Sequence, residues 1–211
     1  MNKEDIPFLS VAELSAQIKN RSVSPMEATQ AYLDRIDSLD FKFNSYLTVA
    51  RNQALEAAKE AEQAIADGNY LGPMHGIPIA VKDQFLSKGI RSTGGSKFLV
   101  DFVPDYDATV IANLKKAGAI VLGKTNLTEF AFSGLGINPH YGTPANAYDA
   151  AVPRVPGGSS SGSATSTTSL VAFNSSAATC GPRSSNADSS SKTSSAPAFS
   201  SLPASLVAAA G

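Results

Sequence analysis

Two stretches of this sequence carry side chains able to move a proton at neutral pH. Ile77-Pro78-Ile79-Ala80-Val81 is a short apolar run that ends on Lys82-Asp83, and Pro156-Gly157-Gly158-Ser159-Ser160-Ser161-Gly162-Ser163-Ala164 is dense in hydroxyls and glycine. A lysine at the end of a buried strand has two uses. Its stem can pack while the ammonium reaches water, or it can serve as a base. The second use requires a pKa lowered by roughly 3 units, about 4 kcal/mol, through burial or neighbouring donors. The Gly/Ser run also reads two ways. It has the composition of a flexible linker, and it has what a tight backbone excursion needs, small residues around hydroxyls that can relay protons.

Other candidates carry less. His75 and His140 stand apart from any carboxylate or cysteine set with metal spacing, so both read as turn or packing residues and no metal is expected. Cys180 is the only cysteine, which excludes an intrachain disulfide and a cysteine-based metal cluster. Gly118-Ala119-Ile120-Val121-Leu122-Gly123-Lys124-Thr125 matches the literal phosphate-loop pattern. A phosphate loop follows a strand and wraps the anion with backbone N–H groups; here the variable positions are themselves a strand and a helix precedes them, so nucleotide binding is not expected.

The elements that must position Lys82 and Ser159 are legible from local signals. Ser10 is placed to cap a helix through about Lys19, and Ser24-Pro25-Met26-Glu27 is a capping box with proline at the first helical position, opening a helix to about Ile36. Residues 51–67 lack Gly and Pro and are rich in Ala, Glu, Lys and Gln, which predicts a third helix ended by Gly68. Ile77–Val81 reads as a buried strand, with Pro78 removing one ladder donor. Asp107 is expected to cap a helix over 108–117, Gly118 to stop it, and residues 119–122 to form a second buried strand. The alternation predicts an α/β fold: N-terminal helices followed by part of a mixed internal sheet covered by helices.

The chain has 211 residues, 43% hydrophobic, and a formal net charge of −1. So balanced a charge provides no field for nucleic-acid phosphate or an anionic membrane. The polar start Met1-Asn2-Lys3-Glu4-Asp5 and the lack of a long apolar run make cytoplasm the expected address. Near Ala164 the composition changes. Residues 165–211 are Ser, Ala, Thr and Pro with few charges, and are expected to pack weakly. The expected division is therefore 1–164 and 165–211.

Three motifs in order decide between the two readings of Lys82 and Ser159. His75-Gly76-Ile77-Pro78-Ile79-Ala80-Val81-Lys82-Asp83, Gly123-Lys124-Thr125-Asn126-Leu127-Thr128-Glu129-Phe130-Ala131 and Pro156-Gly157-Gly158-Ser159-Ser160-Ser161-Gly162-Ser163-Ala164 together resemble the amidase-signature family, over about Ser10 to Ala164. The resemblance implies cleavage or transfer of carbon–nitrogen amide bonds by two serines and a lysine, without metal or other cofactor. It implies that Lys82 is the base, that Ser159 is the bridging serine preceded by a cis peptide, and that Ala131 and Ser133 line the acyl pocket.

The family also places a nucleophilic serine about two dozen residues further on, within a Gly-Thr-Asp-x-Gly-Gly-Ser stretch. Here that region reads Ala177-Ala178-Thr179-Cys180-Gly181-Pro182-Arg183-Ser184-Ser185, so the nucleophile is unassigned. Loss of reading frame near Ala164 would explain the switch. Three functions are in play: a metal-free amidase acting on a small linear amide, the amide-cleaving component of an aminoacyl-tRNA amidotransferase working with partner subunits, and an inactive remnant.

Overall fold

The computed structural model describes residues 2–148, 152 and 154–171. Helix α1 (Val11–Lys19) and helix α2 (Pro25–Phe43) each open with a complete capping box, Ser10 with Glu13 and Ser24 with Glu27. Both N-caps are as the sequence predicts. Helix α2 runs past the expected stop near Ile36, because residues 37–43 contain neither Gly nor Pro; it ends at Asn44, a left-handed cap whose N–H reaches Asp40 O. Helix α3 (Arg51–Ala66) buries a stripe of Ala54, Ala58, Ala61 and Ile65, and the alanines let it lie close to its neighbours.

The sheet has three strands in the order β1-β3-β2: β1 (Tyr46–Val49), β2 (Pro78–Lys82) and β3 (Ile120–Thr125). Strand β3 pairs antiparallel with β1 and parallel with β2, so the sheet is mixed. Every residue of β2 and β3 is buried, which is why both read as continuous apolar runs and not as alternation. Pro78 opens β2, a position where a missing donor costs least. Strand β1 has no strong signal of its own; four residues follow directly on the α2 cap, and Arg91 fixes them from outside by donating to Leu47 O and Thr48 Oγ1.

Helix α4 (Thr109–Lys116) is shorter than expected, and Asp107 does not cap it. The Asp107 carboxylate instead accepts from the Lys88 N–H at 2.7 Å and from Lys115 Nζ at 2.8 Å. A salt bridge to the last turn of the same helix outcompetes the local cap. Gly118 ends the segment at φ +88°, and a side chain there would strike His75. His75 is 3% exposed, and its Nδ1 accepts the Leu71 N–H at 3.1 Å, so it is a packing residue of the turn before β2.

Helix α5 (Ser161–Val171) packs on α2, β2 and β3. The division expected at Ala164 therefore passes through a helix, and Thr165 and Ser166 are buried within it. Residues beyond Val171, including Cys180 and the 177–185 region, lie outside the described residues.

Candidate active site

Lys82 is the last residue of β2, and its register partner is Thr125, the last residue of β3. Parallel pairing places both side chains on the same face, where α5 docks. That docking is made by hydroxyls. Thr125 Oγ1 lies 2.9 Å from Ser163 Oγ, and Ser45 Oγ lies 2.9 Å from Thr165 Oγ1. The Gly162 N–H donates to Asn126 O at 2.8 Å, and the Asn126 N–H donates to Ser45 O at 2.8 Å. Gly162 is required at this contact: a Cβ would stand 2.2 Å from Ser45 O and 2.4 Å from Asn126 N. A serine-rich segment that reads as a linker is thus a helix start keyed to the ends of two strands.

The turn leading into α5 carries Ser159. Its preceding peptide, Gly158-Ser159, is cis, and Ser159 O accepts the Thr128 N–H at 3.1 Å. Gly158 lies against the 133–136 loop, where any side chain would meet Gly136 N and Ser133 O. Across this arrangement Lys82 Nζ donates to Ser159 Oγ at 2.8 Å. Lys82 is 1% exposed, and burial pulls its pKa below the ordinary lysine value. Among the described residues no carboxylate pairs with it. A buried amine on a serine hydroxyl, with no anion to hold its charge, is suited to accept a proton through that hydroxyl.

Ala131 and Ser133 lie on the loop after β3. A short 3-10 turn, Glu129–Ala131, holds Phe130 at φ 47° and Ala131 at φ 60°, a left-handed pair built from residues that rarely adopt it. The Phe130 N–H reaches Gly94 O, the Ala131 N–H reaches Thr128 O, and Ser133 O accepts from Thr128 Oγ1. Thr128 therefore ties this loop to Ser159 from both sides, which brings Ala131 and Ser133 into the neighbourhood of the lysine–serine pair. His140 Nε2 stands 2.9 Å from Glu129 of the same loop, so His140 braces the loop.

The structure also shows what sequence reasoning missed. Lys124 and Asp83 are both 0% exposed and 3.4 Å apart, on the face of the sheet opposite Lys82. Lys124 Nζ also donates to Phe85 O and to Ser92 Oγ, at 2.5 and 2.7 Å. Asp83 Oδ2 accepts from the N–H and the hydroxyl of Thr93. The phosphate-loop look-alike is thus a central strand with a buried, ion-paired lysine. The signal available in the sequence was one of spacing: Asp83 directly follows Lys82, and Lys124 sits inside the second motif. A groove of about 460 Å³ between α3 and β3, lined in part by His75, Ile120 and Val121, holds neither Lys82 nor Ser159.

Comparison with known proteins matches this geometry to a family. A family model described as Amidase matches residues 27–181. A glutamyl-tRNA(Gln) amidotransferase subunit from Geobacter sulfurreducens is 44% identical over 173 residues, which is 82% of this chain and 34% of that protein. The corresponding protein from Aromatoleum aromaticum is 48% identical over 155 residues, 74% of this chain and 31% of its own length. The native peptide amidase of Stenotrophomonas maltophilia superposes with a TM-score of 0.68 at 37% identity, over 75% of this chain and 33% of that one. The chain spans about a third of the length of the curated relatives it matches. With the mixed sheet, the motifs and the matched residues all in agreement, the chain belongs to the amidase-signature family.

Proposed function

We propose that this chain supplies the lysine–serine half of a site that cleaves a carbon–nitrogen amide bond without metal. The observation that carries the reading is the 2.8 Å contact between Lys82 Nζ and Ser159 Oγ, made by a buried lysine with no carboxylate partner among the described residues. Neutral Lys82 takes a proton from Ser159 as Ser159 takes one from a nucleophilic hydroxyl. The resulting alkoxide attacks the amide carbonyl, and the same relay returns the proton to the departing amine. Water then releases the acyl group. The nucleophile and its oxyanion donors, whose removal typically costs about 3 to 4 kcal/mol in the transition state, are not assigned to any residue of this chain. Ala131 and Ser133, held beside Ser159 through Thr128, are proposed to face the acyl part of the substrate.

A second reading is favoured by identity. Relatives at 42% to 48% identity are glutamyl-tRNA(Gln) amidotransferase subunits. In that reading the amide is glutamine's, the ammonia passes to an acceptor held by partner subunits, and nucleic acid is met through them. The third reading is a remnant with no turnover.

One experiment separates the three. The 211-residue chain is assayed on simple amides, then on glutamine with partner subunits and ATP, alongside Lys82→Ala and Ser159→Ala. Turnover of simple amides that both substitutions abolish supports the first reading, and ammonia release seen only with partners and ATP supports the second. Turnover indifferent to both substitutions overturns the lysine–serine assignment. No turnover under any condition leaves the remnant.

A further inference from the structure

The two buried lysines of the sheet are held in opposite electrical circumstances. Lys82 faces α5 and donates to Ser159 Oγ, and Thr125 and Ser163 pair their hydroxyls in the same layer. The buried residues of α2, which packs on β2, are Pro25, Ala28, Thr29, Tyr32, Leu33 and Ile36, none of them charged at neutral pH, while its half-buried Asp40 turns its carboxylate to the Ser45 and Tyr46 N–H groups at the end of β1. The charges adjoining Lys82 along the strands are Asp83, the next residue, and Lys124, the neighbour on β3 beside Val81. They lie on the far face, fully buried, and they pair with each other.

The pair also fixes the chain that leaves Lys82. The Asp83 N–H donates to Thr125 O at 3.0 Å, the Phe85 N–H turns back to Lys82 O at 3.0 Å, and Lys124 Nζ holds Phe85 O from below. Asp83 Oδ2 binds Thr93, and Lys124 binds Ser92, so the 92–96 turn is clamped to the same point. The buried Asp83 Oδ1 makes no hydrogen bond and has Lys124 Nζ, 3.4 Å away, as its counter-charge. Removal of either partner would leave an uncompensated buried charge close to Lys82.

We propose that Asp83 and Lys124 form a positioning pair for Lys82: together they lock the turn that aims its amine at Ser159 while presenting that amine with no net charge. The inference rests on the reading of Lys82 as the base. Its consequence is a sign rule. Side chains leaving opposite faces of adjacent strands put these charges on the order of 10 Å from Lys82 Nζ. At an effective protein dielectric near 20, one unpaired charge at that range moves a titration by about one pH unit. Lys124→Met leaves a negative charge and raises the Lys82 midpoint; Asp83→Asn leaves Lys124 with Phe85 O and Ser92 Oγ as acceptors for its ammonium, and that positive charge lowers the midpoint.

The test follows the Lys82 Cε and Nζ resonances by NMR in the full 211-residue chain, with lysine labelled and Lys82→Arg used for assignment. Opposite shifts of about one pH unit in the two single variants, cancelling in Asp83→Asn/Lys124→Met, are expected. Shifts of the same sign, or none, overturn the proposal, since loss of packing alone has no reason to follow the sign of the charge removed. If a single variant does not fold, the double variant decides, because it carries no unpaired charge. A Lys82 midpoint unchanged from the parent supports the pair's neutrality, and a displaced one overturns it. A parent midpoint at the ordinary lysine value would count against the base reading itself, while the shifts between variants still report on the pair.

Discussion

Gly162→Ala is the substitution that most directly tests how Ser159 is placed. The new methyl would stand 2.2 Å from Ser45 O, 2.4 Å from Asn126 N and 2.9 Å from Asn126 Cα, all backbone atoms that cannot swing aside. An ordinary carbon–oxygen contact needs about 1 Å more, so α5 must lift from the ends of β1 and β3. Overpacking of this kind costs about 1–3 kcal/mol. The Gly162–Asn126 backbone hydrogen bond, 2.8 Å long, goes with it and adds about 1 kcal/mol. Alanine returns up to about 1 kcal/mol through helix propensity. The expected net loss is about 1–4 kcal/mol, set against the roughly 5–15 kcal/mol that holds a domain together. The assay is urea denaturation of the 211-residue chain, with Gly134→Ala as control. At Gly134 a Cβ meets nothing within 4 Å and φ is not positive, so the control is expected within about 0.5 kcal/mol of the parent. If the two variants unfold at the same urea concentration, α5 does not dock through Gly162 and the account of how Ser159 meets Lys82 fails.

Two further outcomes follow from the same structure. Burial lowers the pKa of Lys82 in the folded chain, so the unfolded state binds the extra proton between that lowered value and the ordinary lysine value of about 10.4. Stability from this group therefore rises with pH across that window, and Lys82→Met should be most favourable relative to the parent below it, with the advantage shrinking as pH increases; a stability difference flat from pH 6 to about pH 10 would contradict this. Ser24→Ala removes the cap that accepts the Glu27 N–H at 3.1 Å and should cost about 1 kcal/mol in denaturant midpoint terms, with the Lys82 resonances unmoved; a neutral result would show that Pro25 and tertiary packing start α2 unaided.

What is legible in the sequence is local chemistry. The capping boxes at Ser10 and Ser24, the glycine stop at Gly118 and the apolar runs of β2 and β3 act within a few residues of chain, so their types and spacing suffice. Strand β1 is not legible: four residues carry little pattern, and their pairing is dictated by β3, far along the chain. Asp107 misleads for the related reason that a lysine two turns away competes for the same carboxylate.

The sequence by itself determined the family, through three ordered motifs, and with it the two side chains worth bringing together, Lys82 and Ser159. Tertiary structure alone decided that they meet, because the 2.8 Å contact depends on strand register, on hydroxyl docking of α5 and on a glycine small enough to let two backbones touch. It alone decided the sorting of the two lysines as well. Lys82 and Lys124 look alike as residues in apolar strands; alternation across the sheet sends one to a serine and the other to a carboxylate, so burial pulls the pKa of both below the ordinary lysine value while Asp83 opposes that shift at Lys124.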